Sequence, residues 1–185
     1  MLQHNTDLSF KVKGHIEDVE NRLLYIPSYF TGRWFPVNYG NTRCKGLDFC
    51  ADLQFDNHQL KLEMLLSDDR NVTDPSNSSY NEPVPYSANV SAKAKYVFSF
   101  ETPSFKSGDK LEWMISPNHL FVGKHNGLTE DGRTEALPSY NSTNLKIVCQ
   151  IKRVTVDAEC RNIFNNKFQV AEGWPVPGRQ FNVAL

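Results

Sequence analysis

Apolar and polar residues alternate with a period of two along most of this chain. In "LSFKVKG", Leu8, Phe10 and Val12 fall on one side with polar neighbours between them, the pattern of a half-buried strand. "GRWFPVN" predicts a second strand anchored by Trp34, which Pro36 restricts to an edge or a strand end. "GLDFCADLQF" follows, then "HQLKLEMLL", where Leu60, Leu62 and Met64 share a face opposite Lys61 and Glu63. Residues 67–92 are rich in Ser, Asn, Asp and Pro, which predicts a long exposed loop or hairpin extension within one domain. Alternation resumes in "AKYVFSF", with Tyr96, Phe98 and Phe100 on one face. "KLEWMISPNHLF" interrupts it and predicts a short helix near Pro117, a residue that suits a first helical turn. The cleanest strand is "NLKIVCQIKRVTV": Leu145, Ile147, Cys149 and Ile151 point one way, and Lys146, Gln150 and Lys152 largely the other. Six or more short strands joined by polar loops, with one short helix, predict an all-β antiparallel sandwich over residues 1–156. Residues 157–185 carry scattered aromatics without a clear period and are set apart as an extension of unassigned structure.

Length and composition agree with a folded domain: 185 residues, 39% hydrophobic and 12% aromatic, can bury a core. The net charge of -1, from 20 basic and 21 acidic residues, argues against nucleic acid or an anionic membrane as the main partner. No apolar run reaches the length of a membrane helix, and "MLQHNTDLSF" lacks the basic and apolar regions of a signal peptide. The chain is therefore read as intracellular and cytoplasmic, with no membrane partner. Four sequons beginning at Asn71, Asn77, Asn89 and Asn141 keep a second reading open, an extracellular glycosylated sandwich.

Candidate chemistry is sparse. Cys44, Cys50, Cys149 and Cys160 form no C-x-x-C pair, so no structural zinc site is expected; disulfides among them are possible only in an oxidising compartment, and an intracellular chain would keep them reduced. His119 and His125 are six positions apart, a spacing that fits neither adjacent helical turns nor a zinc-finger pair. His4, His15 and His58 have no carboxylate or cysteine at a suggestive spacing. Without a phosphate loop, dinucleotide fingerprint or nucleophile elbow, the expectation is a non-enzymatic protein with no cofactor.

The order of landmarks adds one resemblance. Ser28, Phe30, Gly32 and Trp34 come first, then Met114-Ile115, Leu120 and Asn126-Gly127-Leu128, and the closing strand is "TNLKIVCQI". Over roughly residues 8 to 156 this resembles the MATH (meprin and TRAF homology) domain, an eight-stranded antiparallel sandwich. The resemblance implies a module that binds an extended partner peptide along a sheet, where backbone hydrogen bonds give affinity and side-chain pockets give selectivity. The matching groove positions are Phe49, Cys50, Leu60, Leu62, Tyr96, Phe98, Lys110, Leu111 and Trp113. Each of these aromatics is also readable as sandwich core, Phe49 and Phe98 above all. The implied role is a substrate-recognition or scaffolding adaptor, with a BTB or ubiquitin-ligase partner as an extension. A self-associating module without a peptide groove stays open beside it.

Overall fold

The computed structural model describes residues 6–28, 30–104, 109–171 and 173–185; His4 lies outside them. The elements are β1 (Thr6–Ser28), β2 (Arg33–Phe55), β3 (His58–Asn71), β4 (Val90–Pro103), β5 (Lys110–Val122) and β6 (His125–Leu128). They continue with β7 (Thr134–Leu137), β8 (Tyr140–Ile151), β9 (Val154–Arg161), β10 (Gln169–Ala171), β11 (Trp174–Pro175) and β12 (Gln180–Ala184).

Eight of these strands form one sheet in the order β1-β2-β3-β4-β5-β8-β9-β12. Every neighbouring pair is antiparallel, and each strand lies beside the next long strand in sequence. The all-β, antiparallel part of the expectation therefore stands. Among the described residues no second large sheet packs on this one, because β6/β7 and β10/β11 are two-stranded ribbons within connections. The tail joins the main sheet: β9 runs unbroken across residues 156 and 157, and β12 pairs with it from Gln180↔Arg161 to Ala184↔Asp157.

The short helix expected near Pro117 is replaced by β5, which pairs with β4 on one side and β8 on the other. Proline lacks the N–H a central strand needs. The β4 register accordingly passes from Lys95↔Asn118 to Phe98↔Ile115, while pairing with β8 continues through Pro117↔Leu145. One lost ladder bond is cheaper than giving up both neighbours, so tertiary pairing overrides the local helix signal.

The two ends of the sheet differ. At one end the connections are short: residues 56–57 join β2 to β3, and residues 152–153 join β8 to β9. At the other end lie residues 72–89 after β3, the stretch 123–139 that holds β6/β7, and the stretch 162–179 that holds β10/β11. The buried hydrophobic residues Leu24, Ile26, Val84, Leu137 and Ala171 all come from this long-connection end. Backbone bonds from Val84 to Asp69 O (3.0 Å) and from Tyr86 to Asn126 O (2.6 Å) tie the long connection after β3 onto its neighbours. The core thus caps one end of the sheet and does not lie between two layers.

Gly40 shows how tightly that end is fitted. Its φ of +97° is one that L-residues rarely adopt, and an added Cβ would sit 2.3 Å from Thr73 Oγ1. Thr73 is itself held there, accepting a 2.8 Å bond from the Asn41 amide. Gly40→Ala is expected to destabilise the chain by about 2 kcal/mol, seen as a lowered urea midpoint with an unchanged m-value.

Candidate functional site

The register sorts the side chains onto two faces of opposite chemistry. One row runs Phe10↔Ala51↔Leu62↔Ala94↔His119, and the next Val12↔Phe49↔Met64↔Ala92↔Phe121. Further along the same face come Ile115↔Ile147↔Ala158↔Val183 and Trp113↔Cys149↔Val156. The opposite face carries Lys11, Asp52, Lys61, Glu63, Lys93, Lys95, Asn118, Asn144, Lys146 and Glu159, by the same period of two. Lys61 bonds Glu63 at 2.6 Å and Lys146 bonds Asp157 at 2.5 Å across this polar face.

The exposures decide what the apolar face is. Phe10 is 71% exposed, Val12 66%, Leu62 43% and Val183 73%. A contiguous apolar surface of this extent is far beyond the scattered exposed residues of an ordinary monomer and marks an interaction surface.

An aromatic ladder crosses the apolar face near the short-connection end. The His58 ring stacks on Phe98 with centroids 4.6 Å apart, Phe98 on Phe100 at 5.1 Å, and Phe100 on Trp113 at 6.2 Å. Phe55 extends the ladder on the other side of His58. Its polar atoms are satisfied within it: Trp113 Nε1–H donates to Thr102 Oγ1 at 2.9 Å, and His58 Nδ1 meets the Tyr96 hydroxyl at 2.5 Å.

At the long-connection end Trp34 packs against Trp174 (5.5 Å) and edge-on to Tyr86 (6.1 Å). Burial holds the Tyr86 phenol above the ordinary tyrosine range, and its hydroxyl donates to Leu128 O at 2.8 Å. Tyr86→Phe removes that donor and leaves the carbonyl half-satisfied, an expected loss of about 1 kcal/mol in urea unfolding. Nearby, Asp131 is held below the usual carboxylate range, first by the Thr129 hydroxyl and then by Arg133. On the polar-face side of the same end, Arg22 lies 3.1 Å from Cys44 Sγ and 3.7 Å from Asp69, which also accepts from Ser67 and Ser87.

The positions singled out from sequence divide between the faces. Phe49, Leu60, Leu62, Tyr96, Phe98, Leu111 and Trp113 share the apolar face, Cys50 lies on the polar face, and Lys110 sits exposed beside Glu101. His119 bonds Thr143 Oγ1 at 2.7 Å, whereas His125 Nδ1–H donates to Gly123 O at 3.0 Å within the β5–β6 connection. Among the described residues no group of three or more His, Cys, Asp or Glu side chains could hold a metal ion. The surface residues sequence reasoning missed are Leu8, Phe10, Val12, Ile16 and Leu47, whose alternation reads the same whether they face a core or a surface.

No family model matches the chain, and no curated protein matches its sequence. Its fold is similar to part of two solved structures. It is similar to the copper transporter OprC, with a TM-score of 0.63 and 16% identity over 94% of this chain and 28% of that one. It is also similar to the FrpB iron transporter from Neisseria meningitidis (F3-3 variant), with a TM-score of 0.59 and 12% identity over 95% of this chain and 27% of that one. The chain thus spans less than a third of either protein. This likeness overturns the expectations of a peptide-recognition adaptor and of an intracellular, cytoplasmic place. The physical reason is the apolar face, which a sandwich would bury between two sheets and which is exposed here.

Proposed function

We propose that this chain builds part of the wall of a membrane-spanning β-barrel of transporter type. Its apolar face lies against lipid and its polar face lines the lumen. The observation that carries this reading is the slant of the apolar band across the strands. In β1 the lowest large apolar residue on that face is Leu8, and its row continues through Leu53, Leu60 and Tyr96. Continuing the Lys95↔Asn118 pairing, that row passes Pro117 and reaches β8 at Leu145. In β8 the apolar positions run on to Ile151, about 20 Å further down the strand at ~3.3 Å per residue. The upper limit falls in the same sense: Ile16 is apolar in β1, whereas Thr143 and Asn141 on β8 are polar.

A drop of about 20 Å across five strand spacings, about 24 Å, is a slant of roughly 40°. Membrane barrels tilt their strands by about 35–45° against a band that must stay level in the bilayer. A sandwich core has no reason to slant across its own register. Along β4 the outward residues run from Val90 to Phe100; with that tilt they span about 25 Å of height, the thickness of a barrel's lipid-facing band. The aromatic ladder lies along the lower rim, where barrel girdles sit. Short connections at one end, and three long ones beside the tight β1–β2 connection at the other, agree with the pattern of such barrels. The sheet order places β1 and β12 at its two ends, and such edges call for further strands to close the barrel.

The test is insertion. Diluted from urea into phosphatidylcholine vesicles, the chain is expected to gain β-structure and to float with the vesicles through an alkaline wash. A chain that folds fully in buffer and stays in the soluble fraction would remove the reading.

A further inference from the structure

The upper part of the apolar face, across β1 to β4, is hollowed. The rows there mix large and small side chains: Ala51, Ala92 and Ala94 sit among Phe10, Phe49, Leu62 and Met64. The result is a depression of about 470 Å³ with an almost wholly apolar lining. Directly above it along β2 lies a second hollow of about 600 Å³, lined by Gly14, Ile16, Leu47 and Leu66, with Lys45, Asp68 and Asn89 among its polar lining. Gly14 contributes the space, since a side chain there would come against Leu47 Cδ2 at 3.4 Å.

The charges above the band leave one cation over. Ile16↔Lys45↔Asp68 and Asp18↔Arg43↔Arg70 are the first two rows in which this face turns polar. Arg43 grips Asp18 in a two-bond fork of 2.7 and 3.1 Å and holds its carboxyl below the usual range. Arg70 Nε bonds Asp68 at 2.6 Å. Each carboxylate therefore has its own arginine. Lys45 is exposed and, among the described residues, has no ion-pair partner. Asp68, opposite Lys45, is bonded to Arg70, so the two rows keep a surplus of one positive charge at the top of an apolar hollow, complementary to a ligand with an anionic head and an apolar tail.

We propose that this hollow is a site for an anionic lipid, with one acyl chain lying against Ala51, Ala94 and Leu47 and the headgroup phosphate on Lys45. The inference rests on the barrel-wall reading and names a specific occupant for one patch of that wall. The site is continuous with the lipid-facing surface, so the chain of the lipid need not leave the bilayer. The head needs only the one cation that no protein carboxylate has claimed.

The chain is reconstituted in phosphatidylcholine bilayers carrying spin-labelled phosphatidylglycerol or, separately, spin-labelled phosphatidylcholine, and the motionally restricted lipid fraction is measured. Phosphatidylglycerol is expected to be preferred by about five-fold, the effect of one surface lysine on one anionic headgroup. Lys45→Gln should abolish the preference, and Ala94→Trp should reduce it by filling the hollow without changing charge. Lys13→Gln, on the opposite face, should leave it intact, and inorganic phosphate should not compete. Equal restriction of the two lipids, or equal losses from Lys45→Gln and Lys13→Gln, overturns the site while leaving the wall in place. Restriction of neither lipid removes the wall reading and the site with it.

Discussion

Leu62→Arg is expected to cost about 2–4 kcal/mol of folding free energy in a lipid bilayer. Leu62 is 43% exposed and lies mid-band, between Ala51 on β2 and Ala94 on β4. If water covered that face, an arginine would be at least as welcome there as leucine, because exposed surface substitutions rarely matter by more than about 0.5 kcal/mol. In hydrocarbon the guanidinium must stay charged in a medium that cannot solvate it, or drag water and headgroups inward. The comparison is Lys95→Gln, one row position away but on the polar face, with an expected change below about 0.5 kcal/mol. Urea titrations of both variants in phosphatidylcholine vesicles measure the difference directly. Equal midpoints for the two would mean that the exposed apolar face does not contact lipid.

The second large effect is expected at Asn162, at the start of the long β9–β12 connection. Asn162 is 3% exposed and has a φ of 50°, a backbone conformation that asparagine tolerates better than most residues. Its Nδ2–H group donates to Asn166 O (2.9 Å) and Pro177 O (3.4 Å), and its Oδ1 accepts from the Asn166 amide (2.9 Å). Its own amide donates to Asn144 Oδ1 at 2.9 Å, which ties the connection to the polar face of β8. Asn162→Ala removes the side-chain partner of the half-buried Asn166 carbonyl and amide and of the Pro177 carbonyl, and it places alanine in the left-handed region, a combined cost of about 2 kcal/mol. The loss should be local. Amide exchange is expected to rise across residues 163–171 while strands β2 to β4 keep their protection. A uniform rise along the chain would instead make this connection part of the global folding unit.

Much of the sheet was legible in the sequence, and its environment was not. Period two found the strands because Leu60, Leu62 and Met64 against Lys61 and Glu63 must point to opposite faces of any pleated strand. The same alternation describes a strand with its apolar side in a protein core and one with that side in lipid, so Phe10 and Phe49 carried no information about which. Length was the available discriminator. β1 and β2 each run for 23 residues, whereas strands of globular domains rarely exceed about ten. Turn-like residues concealed that length: "GRWFPVN" and "GLDFCADLQF" read as two strands, because Gly40 and the Asn residues around it suggest a break. In the structure the chain continues through, with Gly40 at positive φ and only register shifts between Val19 and Leu23 opposite. Pro117 misled in the other direction, since its effect on β5 depends on two neighbouring strands that local sequence does not reveal. The slant of the apolar band becomes visible only once every register is known, which is why the site could not be read from spacing alone.

Contact between the apolar face and lipid can be read from Trp113. Trp113 stands at the lower rim of that face, whereas Trp34 and Trp174 pack together at the long-connection end. With Trp34→Phe and Trp174→Phe in place, Trp113 is the only tryptophan left in the chain. In vesicles of brominated phosphatidylcholine its fluorescence is expected to be quenched, most strongly when the bromines sit near the headgroup and less when they sit at the chain ends. Strong quenching by aqueous iodide, with none by brominated lipid at any depth, would place this face in water and rule out a lipid-facing wall.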